Sequence, residues 1–130
     1  VTHRFPVRVY YEDTDLAGIV YYANYLKFIE RARTEWVRSL GIEQGQLKAE
    51  TGIVFAVRRV EADYLAPAHF DDMLEIATEC LETTIARVVL AQRVMRDGVC
   101  LFEAKVTIVA LAGSGRPQRM PAALRAALEG

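Results

Sequence analysis

Between residues 21 and 40 apolar side chains return at steps of three and four: Tyr22, Tyr25, Ile29, Ala32, Trp36 and Leu40, with Leu26 and Val37 widening the stripe. That spacing is the signature of one face of an α-helix. Lys27, Glu30, Arg31, Thr34, Glu35 and Arg38 fill the other side, and Arg31 and Glu35, four residues apart, form a helix-supporting pair. Gly41 follows the last apolar position as a C-terminal cap should. Most of the remaining chain alternates or runs in β-rich stretches. Residues 3–11, rich in Val and Tyr, predict a strand, and residues 12–18 read as a turn ending in Gly18.

Beyond the helix, residues 43–52 predict a short polar helix or loop, and 53–65 a long strand. Its alternation breaks at Arg58 and Arg59, which predicts a bulge or a change of face. Strands follow over 73–81, 85–95 and 99–111, with Asp97-Gly98 as a hairpin turn between the last two. Pro121 opens a short Ala-rich helix to Leu128. The order of one strand, one long helix and four consecutive strands is α+β, an antiparallel sheet packed on one helix.

Composition narrows the class. The 130 residues, 52% hydrophobic and 25% charged, suit one folded domain over 1–130 and exclude a disordered chain. Sixteen basic against 17 acidic residues leave a formal charge of -1, which offers no global footprint for nucleic acid. The first residues lack the apolar core of a signal peptide, and no stretch is apolar enough to span a bilayer. Cys80 and Cys100 fit no Cys-x-x-Cys pattern and read as reduced, small apolar residues. A soluble cytoplasmic domain is expected.

Several catalytic devices are absent. Neither Ser39 nor Ser114 lies in a Gly-x-Ser-x-Gly elbow. Neither His3 nor His69 belongs to a His-Glu-x-x-His motif, so no metal is expected, and no phosphate-binding Gly-rich loop occurs. Carboxylates remain. Glu12, Asp13 and Asp15 cluster where the first strand gives way to the long helix. One reading is helix capping, because negative charge suits the positive end of a helix dipole. The other notes that Asp15 stands roughly six residues ahead of the apolar periodicity, too early for a simple cap. A loop would then hold it beside free helix N–H donors, an arrangement suited to carbonyl chemistry.

The stretch VRVYYEDTDLAGIVYYANYLKFIERARTEWVRSLG resembles the signature of hotdog-fold acyl-CoA thioesterases of the 4-hydroxybenzoyl-CoA thioesterase type, and most closely the branch associated with the bacterial Tol–Pal system. The similarity continues through DYLAPAHFDD, Gln92 of LAQRV and RPQRMP, and so covers nearly the whole chain. It implies the hotdog fold, a long central helix wrapped by an antiparallel β-sheet of about five strands. It also implies a homodimer or homotetramer with active sites at the subunit interface, and hydrolysis of an acyl-CoA to free acid and CoA without metal or redox cofactor.

By the same resemblance Asp15 is the catalytic carboxylate, acting as nucleophile or as general base for water. The backbone N–H of Tyr22 matches the donor that polarises the thioester carbonyl. Asp13 matches a family position and reads as structural. Members of the Tol–Pal branch often carry His where this chain has Tyr22; a backbone role survives that difference and a side-chain acid or base role does not. Asn24 is a candidate substrate contact or a packing residue of the first turn, and Tyr25 a packing residue. Arg116 matches a nucleotide contact, with Arg87 and Arg119 as weaker candidates. Glu30 reads as a solvated ion-pair partner, Arg33 as a buried or snorkelling arginine, and Trp36 as core. Two other functions stay open: hydrolysis of acyl-acyl carrier protein, and a non-catalytic scaffold subunit with a membrane-associated partner.

Overall fold

The apolar stripe of the long helix and the inward-facing residues of the strands meet in one core. The computed structural model describes residues 1–129. Strand β1 (Thr2–Arg8) leads through a single 3₁₀ turn (Tyr11–Asp13) to helix α1 (Asn24–Ser39) and helix α2 (Gln44–Thr51). Strands β2 (Val54–Tyr64), β3 (Met73–Thr83), β4 (Val88–Arg96) and β5 (Val99–Leu111) follow, then the two-residue β6 (Pro117–Gln118) and helix α3 (Ala122–Leu128). The sheet runs β1-β3-β4-β5-β2, antiparallel throughout, with β6 on the far end of β5. It is the expected α+β architecture with one small strand added.

Helix α1 covers the inner sheet face with Tyr25, Phe28, Ile29, Ala32, Trp36 and Val37, all buried. They meet Leu74 and Ile76 of β3, Val88, Leu90 and Val94 of β4, and Phe102, Val106 and Ile108 of β5. Fully burying a side chain of this kind stabilises by roughly 1.5–3 kcal/mol. The hairpin forms at Asp97 (φ 49°) and Gly98 (φ 79°), the left-handed pair such a two-residue turn requires. The register of β2 slips between Val57 and Arg59, as the broken alternation predicts. A second irregularity, opposite Val94 and Met95, leaves the Leu101 carbonyl to accept both the Leu65 and Ala66 N–H groups, which turns the chain off the end of β2.

Four expectations are corrected. Strand β1 ends at Arg8 and not at residue 11, because Asp13 draws the chain into the 3₁₀ turn: its Oδ2 accepts the Tyr10 N–H at 2.8 Å. Helix α1 begins at Asn24 and not near Tyr21, leaving Tyr22 61% exposed outside the buried stripe, and Leu26 is exposed too. Glu35 pairs with Arg38 rather than Arg31. Strand β4 starts at Val88, because residues 84–87 form a turn in which the Thr84 hydroxyl accepts the Ala86 and Arg87 N–H groups. Among the described residues no helix is long and apolar enough to cross a membrane.

One polar network lies beneath the helix. Gln92 is fully buried; its Nε2 donates to the Ile29 carbonyl (2.8 Å) and the Thr78 hydroxyl (3.0 Å), while its Oε1 accepts from Arg33 (3.1 Å). Burial lowers the pKa of Arg33, with Glu30 opposing the shift. Arg33 is thus a half-buried structural arginine that fastens α1 to β4. Gln92→Leu keeps the volume but strands the Thr78 hydroxyl and the guanidinium. A loss of about 2–3 kcal/mol is expected, read as a lower urea midpoint at unchanged slope.

Candidate active site

Asp15 opens the tight turn of a loop over residues 14–20 that is closed at its base. Thr14 and Val20 form an isolated antiparallel bridge, and the Asp15 N–H donates to the Ile19 carbonyl at 2.9 Å. The Asp15 Oδ1 accepts the Ala17 N–H at 2.9 Å, so this carboxylate caps its own turn and not α1. Asp13, which is buried, closes the preceding 3₁₀ turn by accepting the Tyr10 N–H and likewise leaves α1 without a side-chain cap. The Asp15 side chain is exposed, and among the described residues its Oδ2 has no hydrogen-bond partner.

The loop is fastened to the helix entrance. The Asp13 carbonyl accepts the Tyr21 N–H and the Asn24 Nδ2, each at 3.0 Å. Asn24 therefore holds the junction, with its amide turned to backbone. Tyr25 packs, as expected, stacked on Phe102 at 5.0 Å between ring centroids, with its hydroxyl accepting the Ala68 N–H. The first turn of α1 is tight: Asn24 N–H bonds Tyr21 at 2.8 Å and Leu26 N–H bonds Ala23 at 3.2 Å. Among the described residues the N–H groups of Tyr22, Ala23 and Tyr25 have no acceptor, so the positive end of the helix is left open.

The segment 65–72 braces the loop from behind. Val20 N–H donates to the Ala68 carbonyl at 2.8 Å, and Ile19 bridges His69. Asp72 anchors this segment by accepting the His69 N–H and the Arg96 guanidinium, both at 2.8 Å. Burial opposes ionisation of Asp72, but those two bonds and the nearby charges of Arg96 and His69 outweigh it and hold the carboxyl below its usual range. Burial and the nearby Tyr22 and Tyr25 hydroxyls push the Tyr64 phenol up, so it keeps its proton at neutral pH. Tyr64 donates that proton to the Tyr22 carbonyl at 2.9 Å.

A groove of about 500 Å³ follows α1 past Leu26, Ile29, Glu30 and Arg33, with Val57 and Val60 as its far wall. It meets a cavity of about 270 Å³ walled largely by Trp36, Val37, Phe55, Val88 and Ile108. Glu30 is exposed and accepts the Thr34 hydroxyl at 2.7 Å; among the described residues it forms no ion pair.

The thioesterase-like superfamily model matches residues 9–128 of this chain. The chain belongs to that superfamily. Among the relatives of this thioesterase-superfamily chain, the acyl-CoA thioesterase YbgC of Haemophilus influenzae is 43% identical over 124 residues, 95% of this chain and 91% of the relative. The acyl-CoA thioester hydrolase YbgC of Escherichia coli O6:H1 is 48% identical over 107 residues, 82% of this chain and 79% of the relative. The crystal structure of a probable thioesterase from Bartonella henselae superposes with a TM-score of 0.89 at 35% identity, covering 93% of this chain and all (100%) of the other. The hotdog architecture expected from the sequence is thereby established.

Within this thioesterase-superfamily chain the structure gathers Asp15, Tyr22 and Asn24 at one end and leaves Arg116 at the other. Arg116 follows β5, and its carbonyl accepts the Ala112 N–H. Phe102, beside Tyr64, and Leu111 are separated by about 30 Å of strand at roughly 3.3 Å per residue. Arg87 is engaged with Glu82 at 3.3 Å, and Arg119 is exposed. Sequence reading missed Tyr64 and the Asp72–Arg96 brace. Both partners of each bond are far apart in the chain, and no spacing rule links them.

The brace has a pH signature. A carboxyl held below its unfolded value of about 3.9 contributes fully above that value and loses its contribution as the pH falls through the folded pKa. Between pH 5 and pH 3 the thermal midpoint of the wild type should therefore fall further than that of Asp72→Asn. Parallel curves would mean that Asp72 ionisation contributes nothing.

Proposed function

We propose that this chain hydrolyses acyl-CoA thioesters, with Asp15 as the reacting carboxylate and the Tyr22 N–H as the donor that polarises the thioester carbonyl. The observation that carries this reading is the open first turn of α1 beside a loop that presents a carboxylate with one free oxygen. Attack on the carbonyl carbon, by Asp15 itself or by water it deprotonates, moves charge onto the carbonyl oxygen. The helix N–H groups meet that charge where it develops. Collapse of the tetrahedral intermediate breaks the C–S bond, and coenzyme A leaves as thiolate and takes up a proton. Attack by water yields the free acid at once, whereas attack by Asp15 leaves the acyl group on its carboxylate as a mixed anhydride that water then hydrolyses to the free acid. The relatives' names support an acyl-CoA substrate, and the groove along α1 offers its acyl group an apolar surface at Leu26, Ile29 and Val57.

The assembly we propose is a homodimer through the free edge of β2. That edge ends the sheet, and Val57, Val60 and Tyr64 on it are exposed, as is Leu26 across the groove. The chain exposes 7712 Å², against about 6,900 Å² expected for a monomer of this mass. Two-fold antiparallel pairing of β2 sets the Val54 end of one strand beside the Tyr64 end of the other. Val54 lies opposite Leu111, so the pairing carries Arg116 of one protomer toward the Asp15 site of its partner. Arg116 is then a phosphate contact supplied across the interface, which reconciles its role with its distance within one protomer.

Two measurements test these points. Asp15→Asn should lower kcat for thiol release from aromatic and aliphatic acyl-CoAs by about 10²–10⁴-fold; an unchanged rate would remove Asp15 from the chemistry. Val60→Glu should sediment as a monomer where the wild type sediments as a dimer or larger, and a monomeric wild type at micromolar concentration would refute the β2 interface.

A further inference from the structure

In a regular helix the Tyr22 carbonyl would accept the N–H four residues on, at Leu26. Here Leu26 N–H turns to Ala23 instead, at 3.2 Å, so the tight first turn leaves the Tyr22 carbonyl without a helical partner. Tyr64 fills that vacancy from β2, its hydroxyl 2.9 Å from the carbonyl oxygen. We propose that Tyr64 is a positioning residue for the reaction: by holding the Tyr22 carbonyl it fixes the peptide that carries the Ala23 N–H, and sets that N–H beside the Tyr22 N–H as a second donor to the thioester oxygen. The inference rests on the site reading above and extends it.

The geometry follows from the peptide plane. A trans peptide points its N–H opposite its C=O, so an anchored carbonyl aims the N–H of the same unit. The Tyr21 carbonyl, bonded to Asn24 at 2.8 Å, fixes the Tyr22 N–H in this way. Tyr64 does the same for the next unit. Ala23 is helical (φ −71°, ψ −20°), so its N–H leaves the helix at the N-terminal end, and the Tyr22 N–H, opposite a carbonyl that bonds Asn24 further along the chain, leaves the same way. A hydrogen bond accepted at the carbonyl also polarises the amide and strengthens its N–H as a donor.

The Tyr64 ring is itself held, edge-on to Phe102 at 5.0 Å, Tyr25 at 5.6 Å and Tyr22 at 6.2 Å. Phenylalanine would satisfy those contacts, and only the hydroxyl reaches the Tyr22 carbonyl. An N–H that is aimed before substrate arrives needs no reorganisation as charge develops on the thioester oxygen.

Tyr64→Phe separates the hydroxyl from the packing. We expect kcat to fall about tenfold for every acyl group, less than the loss from deleting a donor outright. KM, the thermal midpoint and the oligomeric state should be unchanged. The second readout is the carbonyl stretch of ¹³C-labelled acyl-CoA bound intact to Asp15→Asn, expected to lie below its value in water. Adding Tyr64→Phe should return it part of the way. An unchanged kcat and band in the Tyr64→Phe proteins would overturn the proposal. So would a loss of rate that tracks a change in KM, stability or assembly. No lowering of the band in Asp15→Asn alone would overturn the reading of the helix N-terminus, and Tyr64 with it.

Discussion

A single 16-residue helix covers the inner face of the sheet, and the rest of the molecule adapts to that arrangement. Phe28, Ile29, Ala32 and Trp36 fill the space above β3, β4 and β5, so the helix axis is set by side-chain volume. The polar fastening of Arg33 and Gln92 adds direction to this packing. An apolar contact tolerates sliding, whereas Gln92 can reach the Ile29 carbonyl and the Thr78 hydroxyl together only in one position of the helix. Because α1 is fixed, its N-terminal end is fixed as well, and that end is where donors remain unpaired.

The site is built by withholding the usual cap. Asp13 would be a fitting N-cap, but it is drawn into the preceding 3₁₀ turn and presents only its backbone carbonyl to Tyr21 and Asn24. Ala23, in the capping position, has no side-chain acceptor to offer. The helix thus begins with its dipole exposed while the chain is still tied down on both sides. Uncapped ends cost stability, and here the cost is offset by the segment 65–72, which grips the 14–20 loop through Ala68 and His69 and is itself held by Asp72 and Arg96.

Sequence and structure agree where a signal is local and repeated. The α1 stripe, the alternation in β5, the Asp97-Gly98 turn and the broken pattern at Arg58 each follow from neighbours in the chain. The disagreements fall where a distant group competes. Tyr22 keeps the helical spacing but lies outside the helix, because Tyr21 and Asn24 close a tighter turn against Asp13. Arg31 lies at the right spacing for Glu35, yet Arg38 takes that carboxylate. Asn24, for which the residue type allowed two roles, donates its amide to a carbonyl eleven residues earlier.

By itself the sequence determined the class of fold, the family and the conspicuous carboxylate, because periodicity, turn chemistry and a dense local motif are all written along the chain. Only the tertiary structure decided which acid caps and which is free, which N–H groups stay open, and that Tyr64 completes the first turn of a helix begun 40 residues earlier. The reason is physical. Hydrogen-bond satisfaction is settled among all groups that meet in space, and a strand edge and a helix end meet only after the sheet has closed around the helix.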